Sequence, residues 1–322
     1  MVHKFEIITV KTNLYTALLL SLVLLVCCNT SDNSPQSKDV VSKHSLPVVF
    51  INASENDLWS DSNGIYVEGL GSGENWQGLK ANYFAGVKIP IEFQYYFNGE
   101  RVLSQNAQMK VSGGGSRKQP QKSFNISSKE LFNYPFFKSK SITNFKSFRL
   151  RVSGQDWRST LLRDALMHSL IEETNIDYQA YQPVVLYLNN KYWGIYNLRE
   201  KFTKHYIRQN HIDGGGKVDI LEKNSQVKSG SNKDYNRLMD FVQSNNLSDS
   251  LVYAQLENWI DISNFIDYYC AQIYFANTDW PGNNIKYWRS QSDSSKWRWF
   301  LHDTDLGFGF APIWEPPWRG KS

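Results

Sequence analysis

The chain has three cysteines in 322 residues, and two of them are the adjacent Cys27 and Cys28. With Cys270 expected on the buried face of an amphipathic helix, no disulfide framework is predicted to staple the fold. An excess of one charge is also missing. The 35 Lys and Arg stand against 31 Asp and Glu, and a net charge of +4 with dispersed basic residues excludes nucleic acid as the expected partner. No repeat stands out at solenoid spacing. Long apolar runs are absent apart from Leu14–Val26, which is short for a membrane span. What the chain does have is 41% apolar residues, 15% of all residues being aromatic. That is enough core for one large two-lobed domain behind a leader.

The leader carries address information. Lys4 and Lys11 precede the apolar run, Cys27-Cys28 ends it, and the polar stretch from Asn29 to Lys38 follows. This pattern predicts a bacterial export signal over residues 1–28 and a disordered linker over 29–45. A cysteine directly after the hydrophobic core looks like a lipoprotein processing site, with Cys27 or Cys28 acylated. Val26 departs from the small residue usual before such a cysteine. The expected location is an outer or cell-surface membrane through a lipid anchor, otherwise secreted or periplasmic.

The most informative chemistry lies in the last fifth of the chain. Asp279-Trp-Pro-Gly-Asn283-Asn284 is followed, across two strand-like segments at Ile285–Arg289 and Lys296–Leu301, by His302-Asp303-Thr-Asp305-Leu-Gly307. The apolar spacing from Ile260 to Ala276 predicts a preceding helix, capped by Asp261 or Ser263 and stopped before Pro281. One carboxylate beside an attacking hydroxyl, an amide five residues later and a second carboxylate beyond a hairpin suit a metal-nucleotide site. Protein kinases use that order of parts. Either motif alone reads equally well as a turn, because Asp and Asn beside Gly or Pro bond their own backbone.

Upstream, Val111-Ser-Gly-Gly-Gly115-Ser116-Arg117-Lys118-Gln-Pro120-Gln-Lys122 brings glycines without Cβ atoms together with donors and cations. Such a loop can cradle phosphate, although it is not a Walker A loop and serves equally as a flexible turn. Lys122 is expected to open a strand containing Phe124 and Ile126. Ser159–Glu173 has helical periodicity, Pro183–Leu188 and Tyr192–Leu198 form a hairpin across Asn189-Asn190, and a short strand is expected at Val218–Leu221. The segments 211–217 and 222–234 read as loops, and 235–242 and 251–259 as helices.

Taken in order, these pieces resemble the spore-coat protein H (CotH) kinase-like family of atypical, secreted or surface-displayed protein kinases. The resemblance rests on Gly115-Ser-Arg117 with Pro120-Gln-Lys122-Ser-Phe124, Leu162-Arg-Asp164, Tyr192-Trp-Gly-Ile-Tyr196-Asn-Leu-Arg-Glu200, Asn277-Thr-Asp279 with Asn283-Asn284, and Asp303-Thr-Asp305, and spans roughly residues 46–310. It implies an α+β, two-lobed kinase-like fold. The N-lobe, 46–200, would be mostly antiparallel β, and a helical C-lobe would begin at 201. It implies ATP and Mg²⁺ as cofactors and a surface or extracellular protein as substrate. Lys122 would contact the phosphates, helped by Gly114, Gly115, Ser116, Arg117 and Arg163. Glu200 would lie near the adenine pocket or the lobe junction, or in a salt bridge. Asp279 would orient or deprotonate the acceptor hydroxyl. Asp303 would be the main Mg²⁺ ligand, assisted by Asn284, or else Asn283, with Asp305 a second ligand or an orienting acid. Asp164 or Glu172 would pair with Lys122.

Relatives carry tryptophan where His302 stands, and they continue with several helices beyond the Asp-x-Asp turn, so the C-lobe is expected to be incomplete. An inactive fragment, a surface adhesin or carbohydrate-binding protein using its aromatic sheets, and a sugar-nucleotide transferase using Asp303-x-Asp305 are the rival expectations.

Overall fold

Alternation of buried and exposed residues builds the first half of the structure, a computed structural model that describes residues 39–211, 216–292 and 294–309. The expected leader, residues 29–38 of the expected linker and everything past 309 lie outside the described residues. Residues 39–41 of that linker are helical.

Seven strands close into a barrel: β1 (Val48–Ala53), β2 (Ile89–Phe97), β3 (Glu100–Ser112), β4 (Ser123–Asn133), β5 (Asn144–Arg151), β6 (Tyr181–Leu188) and β7 (Lys191–Arg199). Their order round the barrel is β1-β2-β3-β4-β5-β7-β6. β1 meets β6 in parallel, while β1–β2, β3–β4, β4–β5, β5–β7 and β6–β7 are antiparallel. Ile89, Ile91, Phe93 and Tyr95 of β2 point inward with Phe124 and Ile126 of β4 and Phe148 and Leu150 of β5. Each such side chain contributes roughly 1.5–3 kcal/mol on burial, so this aromatic interior sets the strand register. The β6–β7 hairpin turns at Asn189 and Asn190, both at positive φ, as a two-residue turn of that handedness requires. Short helices α1 (Glu55–Trp59), α2 (Arg163–Ser169) and α3 (Lys204–Asn210) flank the barrel strands in sequence.

A second sheet follows: β8 (Val218–Glu222), β9 (Gln226–Ser229), β10 (Lys286–Ser290) and β11 (Arg298–Phe300), ordered β11-β10-β8-β9. Its helices are α4 (Lys233–Ser244), α5 (Ser250–Leu256) and α6 (Ile262–Tyr274). A separate core forms here, with Leu221, Leu238, Tyr268, Tyr287, Trp297 and Trp299 among its members. The fold is α+β and strand-rich. Leu46–Phe97 and the chain from Arg101 form one compact unit. Among the described residues no helix is long and apolar enough to cross a membrane.

Three sequence expectations change. The stretch 222–234 contains strand β9 as well as turns. The helix expected over 159–173 is confined to Arg163–Ser169, because Asp156 gathers the chain before it: its carboxylate accepts from Thr160 Oγ1 at 2.6 Å and from the Arg163 amide at 3.1 Å. Helix α6, Ile262–Tyr274, lies within the expected span of 260–276 and takes the Asp261 cap, but it is rotated from the expected face. Ile266, Tyr269, Ile273 and Tyr274 are exposed, as is Cys270. The buried residues are Asn264, Tyr268, Ala271 and Gln272, and the Asn264 side chain accepts from the Trp299 amide at 2.6 Å and donates to the carbonyls of Asn175 (2.9 Å) and Trp299 (3.3 Å). A buried amide satisfied on both ends outweighs the apolar stripe in fixing that rotation.

Candidate active site

A cavity of about 620 Å³ lies between the outer faces of β3, β4 and β5 and the loops that flank the β10–β11 hairpin. The glycine run 113–115 with Ser116 and Arg117 forms one rim, and Asp279, Asp303 and Asp305 line the other side. Two motifs more than 160 residues apart in sequence thus face one space.

The acidic wall is held by its own amides. Helix α6 ends at Tyr274 and the chain reverses through Asn277, whose side chain donates to Gln272 Oε1 at 3.0 Å. Asp279 Oδ2 then accepts from Asn283 Nδ2 (3.0 Å) and Asn284 Nδ2 (2.8 Å). The same Asn284 nitrogen donates to the Asp303 carbonyl at 3.1 Å, locking the two acidic loops together. Both Asn284 and Asp303 adopt positive φ, 56° each, a conformation that Asn and Asp tolerate better than most residues. Burial raises the Asp279 carboxyl above its ordinary value and the charge of Asp303 adds to this, against the pull of Asn283 and Asn284. A raised carboxylate is suited to taking a proton.

Asp303 and Asp305 are separated by one guanidinium. Arg151 Nη2 donates to Asp303 Oδ1 and to Asp305 Oδ2, the latter at 3.1 Å, and Arg151 Nε lies 3.4 Å from Asp164 Oδ2. Burial works against the Arg151 charge, but Asp164, Asp303 and Asp305 more than offset it and hold its pKa above the usual range. Burial would likewise raise Asp303, yet Arg151 and His302 bring it below the usual carboxylate value. Asp305 moves the other way, raised by its own burial and by Asp303. Its Oδ2 also accepts from the Gln155 amide at 2.9 Å. Gly154, at φ +55°, leaves room for that oxygen: a Cβ there would stand 1.9 Å from it. Asp305 is therefore placed as an acid that orients the turn, while the Asp303 side chain remains 32% accessible.

Asp164 is the hub behind this wall. It is 2% exposed and meets Arg199 Nη1, the Thr304 amide (2.8 Å) and Thr304 Oγ1 (3.1 Å) as well as Arg151. Helix α2, strands β5 and β7 and the Asp-x-Asp turn are joined at this one carboxylate, which its cations hold well below the usual range against burial. His168, one turn along α2, is fully buried. Its Nδ1 accepts from the Gln179 amide at 3.0 Å, and burial followed by Arg199 depresses its pKa, so it is neutral.

Several expected site residues lie elsewhere. Lys122 is buried with its ammonium on the carbonyls of Arg117 (2.6 Å) and Gln119 (2.9 Å) and over the Tyr83 ring at 4.1 Å. It does not line the cavity, and neither Asp164 nor Glu172 pairs with it; Asp164 is taken by two arginines. Burial lowers its pKa to about 8, with Glu68 acting in the other direction. Lys122 here ties down the glycine loop. Arg163 donates to the carbonyls of Gly307 (3.1 Å) and Phe308 (3.4 Å), bracing the chain after Asp305 and outside the cavity lining. Glu200 is buried in an ion pair with Lys140 at 2.5 Å and accepts from the Ala180 amide at 2.9 Å, again outside the lining. Arg117 is at the rim, its Nε on the Gly113 carbonyl at 2.5 Å.

The residues that sequence reading missed are Arg149, Arg151 and Arg199. The signal was present in Phe148-Arg-Leu-Arg151: an apolar residue alternates with arginine, so a strand that buries Phe148 and Leu150 turns both arginines to the opposite face.

The profile of the CotH kinase protein family matches residues 109–314, which takes in both walls of the cavity. The chain belongs to the CotH kinase family. No curated protein matches it. The CotH kinase match carries with it a kinase-like activity class, for which a nucleoside triphosphate and a divalent metal are the general requirements.

Among the described residues no group of three or more His, Cys, Asp or Glu is arranged to hold a metal by itself. The acid donors at this end of the cavity are the carboxylate oxygens of Asp279, Asp303 and Asp305, of which Asp303 keeps an accessible side chain; Asn284 lies beside them, its nitrogen fixed by Asp279 and Asp303. A hard cation that keeps most of its waters and takes further oxygens from phosphate fits such a sparse set, which is the habit of Mg²⁺.

Proposed function

We propose that this CotH kinase family member is an atypical protein kinase of two-lobed, kinase-like organisation that transfers the γ-phosphoryl group of ATP to a Ser or Thr hydroxyl of a surface or extracellular protein. The observation that carries the reading is Arg151. A strand cation paired with a helix acid, Asp164, and set against the metal-type acid, Asp303, repeats the logic of the lysine, helix glutamate and metal aspartate of protein kinases, with arginine as the cation.

In this reading Asp279 accepts the proton of the acceptor hydroxyl as its oxygen bonds to the γ-phosphorus. The bond from that phosphorus to the β,γ-bridging oxygen breaks, and ADP leaves with the electron pair. Asn283 and Asn284 hold the Asp279 carboxylate in place for that proton, and Asn284 keeps it in register with Asp303. Arg151 turns toward the phosphates, and Asp164 fixes its orientation. Asp303 and Asn284 would hold Mg²⁺, which when bound neutralises phosphate charge. Little covalent help is needed, because positioning and charge neutralisation lower the barrier. The exported, lipid-anchored location read from residues 1–28 is part of the proposal, since it sets the class of substrate.

Transfer of labelled phosphate from ATP to a Ser/Thr model protein, with and without Mg²⁺, tests it in the wild-type chain, Asp279→Asn and Asp303→Ala. The expected result is Mg²⁺-dependent transfer, lowered about a hundredfold or more in Asp279→Asn and lost in Asp303→Ala. Equal transfer by all three would sink the assignment.

A further inference from the structure

If Lys122 is occupied on backbone carbonyls and Arg151 is matched by carboxylates, some other group must meet the remaining phosphate charge. Of the other cations lining the cavity, Lys228 is paired with Glu222 at 2.9 Å. Arg117 is spread over the carbonyls of Gly113 and Phe84. Arg149 makes one hydrogen bond, from Nε to the amide oxygen of Asn125 at 3.2 Å. Lys110 makes no hydrogen bond or ion pair among the described residues. The two lie in one cross-strand row, since Lys110 on β3 is opposite Asn125 on β4, and Asn125 is opposite Arg149 on β5. Two strand spacings put their Cα atoms roughly 10 Å apart, and two residues along β5 put Arg149 roughly 7 Å from Arg151 on the same face. All of these side chains line the same cavity.

We propose that Lys110 and Arg149 are the polyphosphate grip of this site, binding the phosphates that lead away from Asp303. The inference rests on the phosphotransfer reading and assigns its charge recognition to a pair of residues outside both sequence motifs. A polyphosphate entering between the walls meets Arg151 beside the acids, then Arg149, then Lys110, each fixed at its Cα by a strand rather than by a loop. Asn125 spaces the two cations and orients the Arg149 guanidinium, so that a polyanion meets preorganised charge. The wall around them is polar, which favours the phosphate chain over the base as the part of the nucleotide recognised here.

Calorimetric titration of Mg²⁺-ATP and of Mg²⁺-tripolyphosphate into the full chain tests this in wild type, Arg149→Ala, Arg149→Lys, Lys110→Gln and Asp303→Ala, with thermal melts recorded for each. The expected result is a tenfold or greater loss of affinity for both ligands in Arg149→Ala and in Lys110→Gln, partial recovery in Arg149→Lys, and near wild-type melts for Lys110→Gln. Wild-type tripolyphosphate affinity in Arg149→Ala and Lys110→Gln overturns the grip. If Asp303→Ala alone then abolishes ATP binding, the phosphotransfer reading survives that result. Failure of the wild-type chain to bind either ligand overturns both.

Discussion

The two walls of the cavity are built by opposite means. The barrel wall gets its precision from regular strands, whose inner faces are filled with aromatic and aliphatic side chains and whose outer faces therefore present Lys110, Asn125, Arg149 and Arg151 at fixed register. The acidic wall has no regular element at the reacting positions; Asp279, Asn284 and Asp303 sit in turns, two of them at positive φ, and are held by side-chain amides and by Arg151. Packing positions the cations, and hydrogen bonds position the carboxylates. The acidic wall should therefore be the easier to disorganise by a single polar substitution, and the barrel wall should yield only where a residue belongs to both.

Arg151 is that residue, and its loss should have the largest effect. Arg151→Ala leaves Asp164 buried with Arg199 as its remaining strong partner, and removing one member of a buried charge cluster costs about 3–5 kcal/mol. Chemical denaturation should report that loss together with abolished phosphotransfer, whereas Arg151→Met with unchanged stability and activity would show the walls to be independent. Gly154→Ala comes next. It puts a Cβ into the Asp305 oxygen at a left-handed backbone position, so turnover should fall about tenfold or more with stability lowered by roughly 1–3 kcal/mol.

A smaller, graded effect is expected from pH. Burial lowers His302 to about 4 and depresses His168 as well, so the folded chain stays unprotonated at these positions where the unfolded chain binds protons. The sign follows: their contribution to stability is complete above about pH 6.5, the unfolded value, and is lost as pH falls toward about 4. Melts from pH 7.5 to 4.5 should show this decline and show it reduced in His302→Gln. The smallest effect on ligand binding should come from Lys122→Met, less than about threefold for ATP, because its ammonium faces the loop carbonyls. A loss as large as that of Arg151→Ala would return the phosphate role to Lys122.

Much of this arrangement is legible in the residues, unevenly. The helix, acidic loop, hairpin and acidic turn follow from periodicity and turn chemistry, and β10 and β11 fall where aromatic and β-branched residues predict them. The glycine loop is also visible, since three glycines are hard to place in a regular element. What local pattern does not reveal is where a long cation ends up. Lys122 sits inside the recognised motif and faces backbone; Arg151 lies outside it and reaches Asp303, 152 residues away. The rotation of α6 was hidden for a similar reason, because the apolar stripe is the stronger local signal and the deciding contact of Asn264 is with Trp299 on a distant strand.

The most direct measurement is the Mg²⁺ dependence of ATP binding by the full chain, in wild type and in Asp303→Asn, which removes the charge of Asp303 while keeping its side-chain shape. The account predicts saturable binding that requires Mg²⁺ in the wild type and is lost in the variant. Equal ATP affinity in both proteins, with or without Mg²⁺, would contradict the claim that this cavity is a metal-nucleotide site.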